Sequence, residues 1–113
     1  MDREKLIMVF RNLIKNAVEA MEKSSRSVIY ISSYHEIIDS NEFFIISITD
    51  TGIGIEKNNL HKIFEPYFTS KEKGTGIGLS TVEKIISEHN GTIDVESIPG
   101  EGTTFFIKFM IES

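Results

Sequence analysis

The sequence predicts an α+β domain: a two-layer α/β sandwich with helices on one face of a mostly antiparallel sheet. Two observations carry that prediction. Two segments repeat apolar residues at helical spacing, and four short segments are rich in β-branched and aromatic residues. Their order is α, β, β, α, β, β, so every strand has a neighbour in sequence to pair with. A doubly wound parallel sheet would need a helix after each strand, which this order does not supply.

The first helix is expected from about Arg3 to Lys23, with Leu6, Phe10, Leu13, Ala17 and Ala20/Met21 on its apolar face and Ser24-Ser25 ending it. Val28 to Tyr34 reads as a strand, the polar stretch Glu36 to Glu42 as a turn, and Phe43 to Asp50 as the second strand. Asn58 to Ile63 is expected to form a short helix. Pro66 and the hydrophilic stretch Thr69 to Thr75 read as a loop. A helix follows from about Gly76 to His89, with Leu79, Val82 and Ile86 on one face and Asn90-Gly91 as its stop. Thr92 to Ile98 is the third strand, Pro99-Gly100-Glu101-Gly102 the turn, and Thr103 to Ile111 the fourth strand.

The chain has 113 residues, enough for one core, and is read as a single domain over 1–113. It is 40% hydrophobic and 26% charged, the balance of a water-soluble globular domain. A net charge of −5 argues against a nucleic-acid partner, because phosphate-backbone binders are usually basic. An acidic domain binds a polyphosphate only through local donors or a metal. There is no cysteine, so disulfides and thiolate metal sites are excluded. No apolar run reaches membrane-spanning length, so no direct membrane contact is expected. The opening Asp2-Arg3-Glu4-Lys5 reads as the middle of a longer protein, whose remainder could be membrane-anchored.

Four places carry chemistry. Asn12 and Asn16 lie one helical turn apart and share a face, Asn16 beside Val9 at the edge of the apolar stripe. An amide there either ties the helix to a loop or offers its carbonyl oxygen to Mg2+, an ion that takes few protein ligands. Asp50 ends a strand whose Phe44, Ile46 and Ile48 share its face, so a carboxylate continues an apolar surface. It either caps the following turn or accepts a hydrogen bond from a ligand amine, such as the 6-amino group of adenine. Gly52 and Gly54 would let the backbone turn and approach a base.

The third place is Gly74-Thr75-Gly76-Ile77-Gly78-Leu79-Ser80, opening a helix. Interior helical glycines cost roughly 1 kcal/mol each, so the run needs a reason. It is either a hinge or an anion site made of bare first-turn amides. No Gly-Lys-Ser/Thr follows, so it is not a Walker loop. Before it stand Phe64, Tyr67 and Phe68 around Pro66, an apolar anchor for a loop bearing Lys71 and Lys73. These lysines are either solvated or placed to neutralise phosphates, Lys71 more directly. The fourth place is Thr103, a hydroxyl entering a strand face otherwise made of Phe105, Ile107 and Phe109.

In order these segments read Asn-Leu-Ile-Lys-Asn-Ala-Val-Glu-Ala, Asp-Thr-Gly-Ile-Gly-Ile, Phe-Glu-Pro-Tyr-Phe-Thr-Ser-Lys, Gly-Thr-Gly-Ile-Gly-Leu-Ser and Gly-Thr-Thr-Phe. The series resembles the asparagine, glycine and phenylalanine boxes of sensor histidine kinases, most closely the soluble-sensor and sporulation-kinase type. The resemblance spans about Leu6 to Ile111 and implies the Bergerat ATP-binding fold. That fold is shared with type II topoisomerases, a class of chaperones and a class of repair proteins.

The resemblance implies ATP and Mg2+ as ligands. Asn16 matches the magnesium-binding asparagine, Asp50 the adenine-binding aspartate, and Gly52 and Gly54 lie beside the base. Gly74, Thr75, Gly76, Gly78 and Leu79 match the phosphate side, Lys71 a lid lysine, and Thr103 the threonine that supports adenine. Asn12 stands where related ATPases carry a water-activating glutamate, and an amide is no general base at neutral pH. The implied activity is therefore transfer of the γ-phosphate to a histidine on a separate dimerisation domain of the same protein, with no general base assigned here. A response regulator would be reached indirectly. His35, His61 and His89 do not read as the phosphoacceptor, and that domain and the strand usually preceding the first helix are missing from the sequence. The isolated domain is expected to be monomeric and cytoplasmic. Alternatives are a degenerate ATP-binding regulatory module and an ATPase of the wider superfamily.

Overall fold

The computed structural model describes residues 2–65 and 78–111. Helix α1 is Arg3–Ala20, strands β1 and β2 are Ile29–Ile38 and Asn41–Asp50, and a 3₁₀ turn covers Lys57–Asn59. Helix α2 is Leu79–Glu88, and strands β3 and β4 are Gly91–Ile98 and Gly102–Met110. The four strands form one sheet in the order β1-β2-β4-β3, antiparallel at every pairing. The two helices lie on one face of that sheet, the predicted α+β sandwich.

Helix α1 starts where the Asp2 carboxylate accepts the N–H of Lys5 at 3.1 Å, an N-cap with Glu4 in the first turn. It stops at Ala20, three residues before the predicted end at Lys23. The reason is tertiary: the Ala20 carbonyl accepts the N–H of Ile53 at 3.1 Å instead of continuing the helical ladder. Strand β1 runs four residues past the expected Tyr34, and the polar stretch Glu36 to Glu42 is mostly strand. Its turn shrinks to Asp39-Ser40, with φ of 50° and 70°. Positive φ at both central positions suits a two-residue hairpin, because its twist matches that of the strands. The expected helix over Asn58 to Ile63 is only the short 3₁₀ turn. Helix α2 begins at Leu79, with Gly78 as its N-cap, rather than at Gly76.

The core sits between helices and sheet. Val9 and Leu13 of α1, Val82, Ile85 and Ile86 of α2, Ile63, and Ile48, Ile93, Phe105 and Ile107 of the sheet form one buried cluster. Phe64 stands edge-on to Phe105 with ring centroids 6.5 Å apart. The helices also join through His89. The Asp2 N–H donates to its Nε2 at 2.9 Å, which assigns the ring proton to Nδ1, and Nδ1 donates to the Ile85 carbonyl at 2.7 Å. No helix among the described residues is long and apolar enough to cross a membrane.

Candidate functional site

Antiparallel register turns four separate alternations into cross-strand rows. On the helix side, Ile29 pairs with Asp50, Asp50 with Thr103, and Thr103 with Ser97. The next row inward is Ile31, Ile48, Phe105 and Val95. The polar row is thus the last rung of an apolar ladder, at the end of the sheet where β2 leaves for the loop 51–56. Asp50 and Thr103 are each only 5% exposed.

Asp50 does the first of the two things the sequence left open: it caps the turn that follows. Its Oδ1 accepts the N–H of Gly52 at 2.8 Å. Burial pushes its carboxyl above the ordinary aspartate range, while the N–H groups of Gly52 and Thr103 draw it partway back. A buried carboxylate held by two backbone amides keeps acceptor capacity for a ligand donor.

The loop after Asp50 has little room for side chains. A Cβ on Gly52 would lie 2.6 Å from the Ala20 carbonyl oxygen. Gly54 has φ of +76°, and a Cβ there would run into the Ile98 carbonyl. Ile53 between them is bound on both sides: its N–H donates to Ala20, and its carbonyl accepts the Gly100 N–H at 2.7 Å. Loop 51–56 is therefore pinned between the end of α1 and the β3–β4 turn.

Asn16 lies on α1, half-buried, and its Nδ2 donates to Asn12 Oδ1 at 3.2 Å. That bond uses the amide nitrogen of Asn16, and its carbonyl oxygen Oδ1 is the atom type a magnesium ligand needs. Among the described residues no group of three or more His, Cys, Asp or Glu converges as a metal cage. A divalent ion at Asn16 would be held largely by phosphates and water, which is how Mg2+ is commonly bound beside a nucleotide. Gly78 caps α2 without a side-chain hydrogen bond, and Leu79 is the first helical residue, half-buried against the core. Lys71, Gly74, Thr75 and Gly76 lie outside the described residues, as do Tyr67, Phe68 and Lys73. The structure thus brings Asp50, Gly52, Gly54 and Thr103 to one end of the sheet, with Asn12 and Asn16 on the helix that covers it.

Three hydroxyls escaped the sequence reading. Ser97 Oγ accepts the N–H of Ile55 at 2.7 Å and lies 2.8 Å from Thr103 Oγ1. Thr51 Oγ1 accepts the Val28 N–H at 3.0 Å and donates to the Arg26 carbonyl at 2.9 Å. Ser24 Oγ donates to the Thr51 carbonyl at 2.9 Å. Ser97 had a legible signal: like Asp50 and Thr103, it is a polar residue ending an alternating apolar face, here Ile93 and Val95.

Comparison with known proteins matches residues 1–113 to the family described as histidine kinase-, DNA gyrase B- and HSP90-like ATPases. The chain is 41% identical over 102 residues to sporulation kinase E of Bacillus subtilis, covering 90% of this chain and 13% of that protein. It is 45% identical over 104 residues to the signal transduction histidine-protein kinase AtoS of Escherichia coli, covering 92% of this chain and 16% of that one. Among solved structures, the catalytic domain of histidine kinase ThkA aligns with a TM-score of 0.75 at 34% identity, over 96% of this chain and 69% of that one. The chain therefore spans about a sixth or less of the two curated relatives.

Proposed function

The chain belongs to the family of histidine kinase-, DNA gyrase B- and HSP90-like ATPases, and on that premise we propose that it binds Mg-ATP and transfers the γ-phosphate to a histidine. The histidine would lie on a phosphoacceptor and dimerisation domain of the same protein, in two-component signalling with a response regulator further on. The observation that carries this reading is the buried carboxylate of Asp50 beside Thr103, at the end of a sheet walled by the α1 helix.

In this reading Asp50 accepts from the adenine amine, Thr103 supports that contact, and Gly52 and Gly54 let the base approach the backbone. Gly74, Thr75, Gly76, Gly78 and Leu79 line the phosphates, and the first-turn amides of α2 face the anion. Lys71 neutralises phosphate charge. Asn16 contributes its carbonyl oxygen to Mg2+, which shields the charge of the transferring phosphoryl group. A histidine nitrogen forms the new N–P bond as the bond from the γ-phosphorus to the bridging oxygen breaks, and ADP leaves with that oxygen. Asn12 supplies no general base for water, so hydrolysis by the domain alone is slow. The domain itself works as a cytoplasmic monomer without nucleic-acid or membrane contact.

The test mixes this domain with the phosphoacceptor domain of its own protein and radiolabelled Mg-ATP. Acid-labile label on the acceptor histidine is expected. ATP binding without any transfer would leave a regulatory nucleotide-binding module instead. Turnover without acceptor, lost in Asn12→Ala, would make the domain an ATPase.

A further inference from the structure

Ser97 is the one polar side chain of that row with no role in the reading above, and three contacts converge on its single oxygen. The Ile55 N–H donates to it at 2.7 Å. It donates to the Gly102 carbonyl at 2.8 Å. Thr103 Oγ1 lies 2.8 Å away. A serine hydroxyl has one proton and two acceptor lone pairs. Ile55 occupies one lone pair. The Gly102 carbonyl can only accept, so that contact takes the Ser97 proton. The second lone pair then faces Thr103, and the proton in this last contact has to come from Thr103. Any other distribution leaves two oxygens 2.8 Å apart with no proton between them, an uncompensated repulsion in a half-buried site.

The consequence is a polarity. The Thr103 hydroxyl is committed as a donor to Ser97, so what it offers a ligand is acceptor lone pairs alone. Asp50, beside it in the row, is likewise an acceptor and receives the Gly52 N–H on Oδ1. We infer that Ser97 is a positioning residue that fixes the Thr103 proton and so makes this end of the sheet select a purine with an amine at position 6 over one with a carbonyl there. The inference rests on the reading of Asp50 and Thr103 as the base site. Ser97 also holds loop 51–56 through Ile55, so a change at 97 acts on the base through both neighbours.

Calorimetry with ATP and with inosine triphosphate, which differ in having an amine or a carbonyl at position 6, tests the inference in the presence of Mg2+. Wild-type protein is expected to prefer ATP. Ser97→Ala frees the Thr103 proton to donate to the carbonyl, so the ATP-to-inosine triphosphate affinity ratio falls by about tenfold, the scale of one hydrogen bond to the ligand. In a Thr103→Val background the same substitution leaves the ratio within about twofold, because the proton it would release is gone. A merely structural Ser97 would weaken both nucleotides alike. An unchanged ratio in Ser97→Ala, with ATP bound by wild type, overturns the inference and leaves the base-site reading standing. Failure of wild type to bind ATP overturns both. If Ser97→Ala does not fold, NMR of the unaltered domain decides: the Thr103 hydroxyl proton is expected to be slow to exchange and close to the Ser97 Cβ protons. A Thr103 hydroxyl in fast exchange with water overturns the inference.

Discussion

Two rows of one sheet face carry opposite burdens. Ser33, Ile46, Ile107 and Ile93 form one, and Ile29, Asp50, Thr103 and Ser97 the other. They lie about 13 Å apart along the strands, at roughly 3.3 Å per residue. At their centres both are shielded from water: Ile107 is 0% exposed and Asp50 5%. The inner row is held by apolar contacts, the outer by hydrogen bonds that also aim its side chains. Burial therefore means stability in one row and binding geometry in the other, and substitutions separate the two.

The largest effect is expected at the inner row. Ile107→Ala removes a side chain packed in the central cluster and should cost about 2–5 kcal/mol in chemical denaturation, with the ATP affinity of the folded protein unchanged. Asp50→Asn should do the reverse: ATP affinity by calorimetry falls about 10- to 100-fold, the scale of a hydrogen bond to a charged group, with no loss of stability. The sign follows from linkage. The folded-state pKa of Asp50 is raised above its unfolded value. Its contribution to stability is then full below the unfolded pKa and is lost as pH rises through the folded one. Asp50→Asn should flatten that decline in denaturation measured across the acid range. At neutral pH the variant should match or exceed wild type.

Gly54→Ala crosses the boundary between the rows. Its positive φ and the Ile98 carbonyl leave no place for a methyl group, so a loss of about 1–3 kcal/mol is expected together with weaker ATP binding. The smallest effect belongs to Ile37, on β1 and 75% exposed. Ile37→Thr should change the unfolding free energy from chemical denaturation by less than about 0.5 kcal/mol and leave ATP affinity alone.

What could be read in advance follows the same division. Strand faces obey a period of two, so Phe44, Ile46, Ile48 and Asp50, and Thr103 with Phe105 and Ile107, could be placed before any fold was known. Element ends could not. Ala20 ends α1 because of Ile53, far along the chain. Asp39-Ser40 forms a tight turn inside a polar stretch that resembled a long one. Ile45 points away from the helices and is still 0% exposed, flanked in register by Tyr34 and Lys108. A strand pattern says which face a residue takes, not how well neighbouring strands cover it. Ser97 was legible as a face residue and invisible as a hub, because its partners arrive from two other segments, Ile55 from loop 51–56 and Gly102 with Thr103 from the start of β4.

The pairing that makes the site has a kinetic side. β1–β2 and β3–β4 are joined by short turns, and their closure is local. β2 meets β4 only across the rest of the chain, as in the Thr49–Thr104 hydroxyl contact spanning 55 residues. Loop closure makes such long-range pairings slow. Asp50 and Thr103 belong to different hairpins, so neither hairpin alone holds the row, and it is completed only when the two dock. A ligand that grips both residues has nothing to grip until that step is over. ATP should accordingly slow unfolding in proportion to its concentration and leave the refolding rate nearly unchanged.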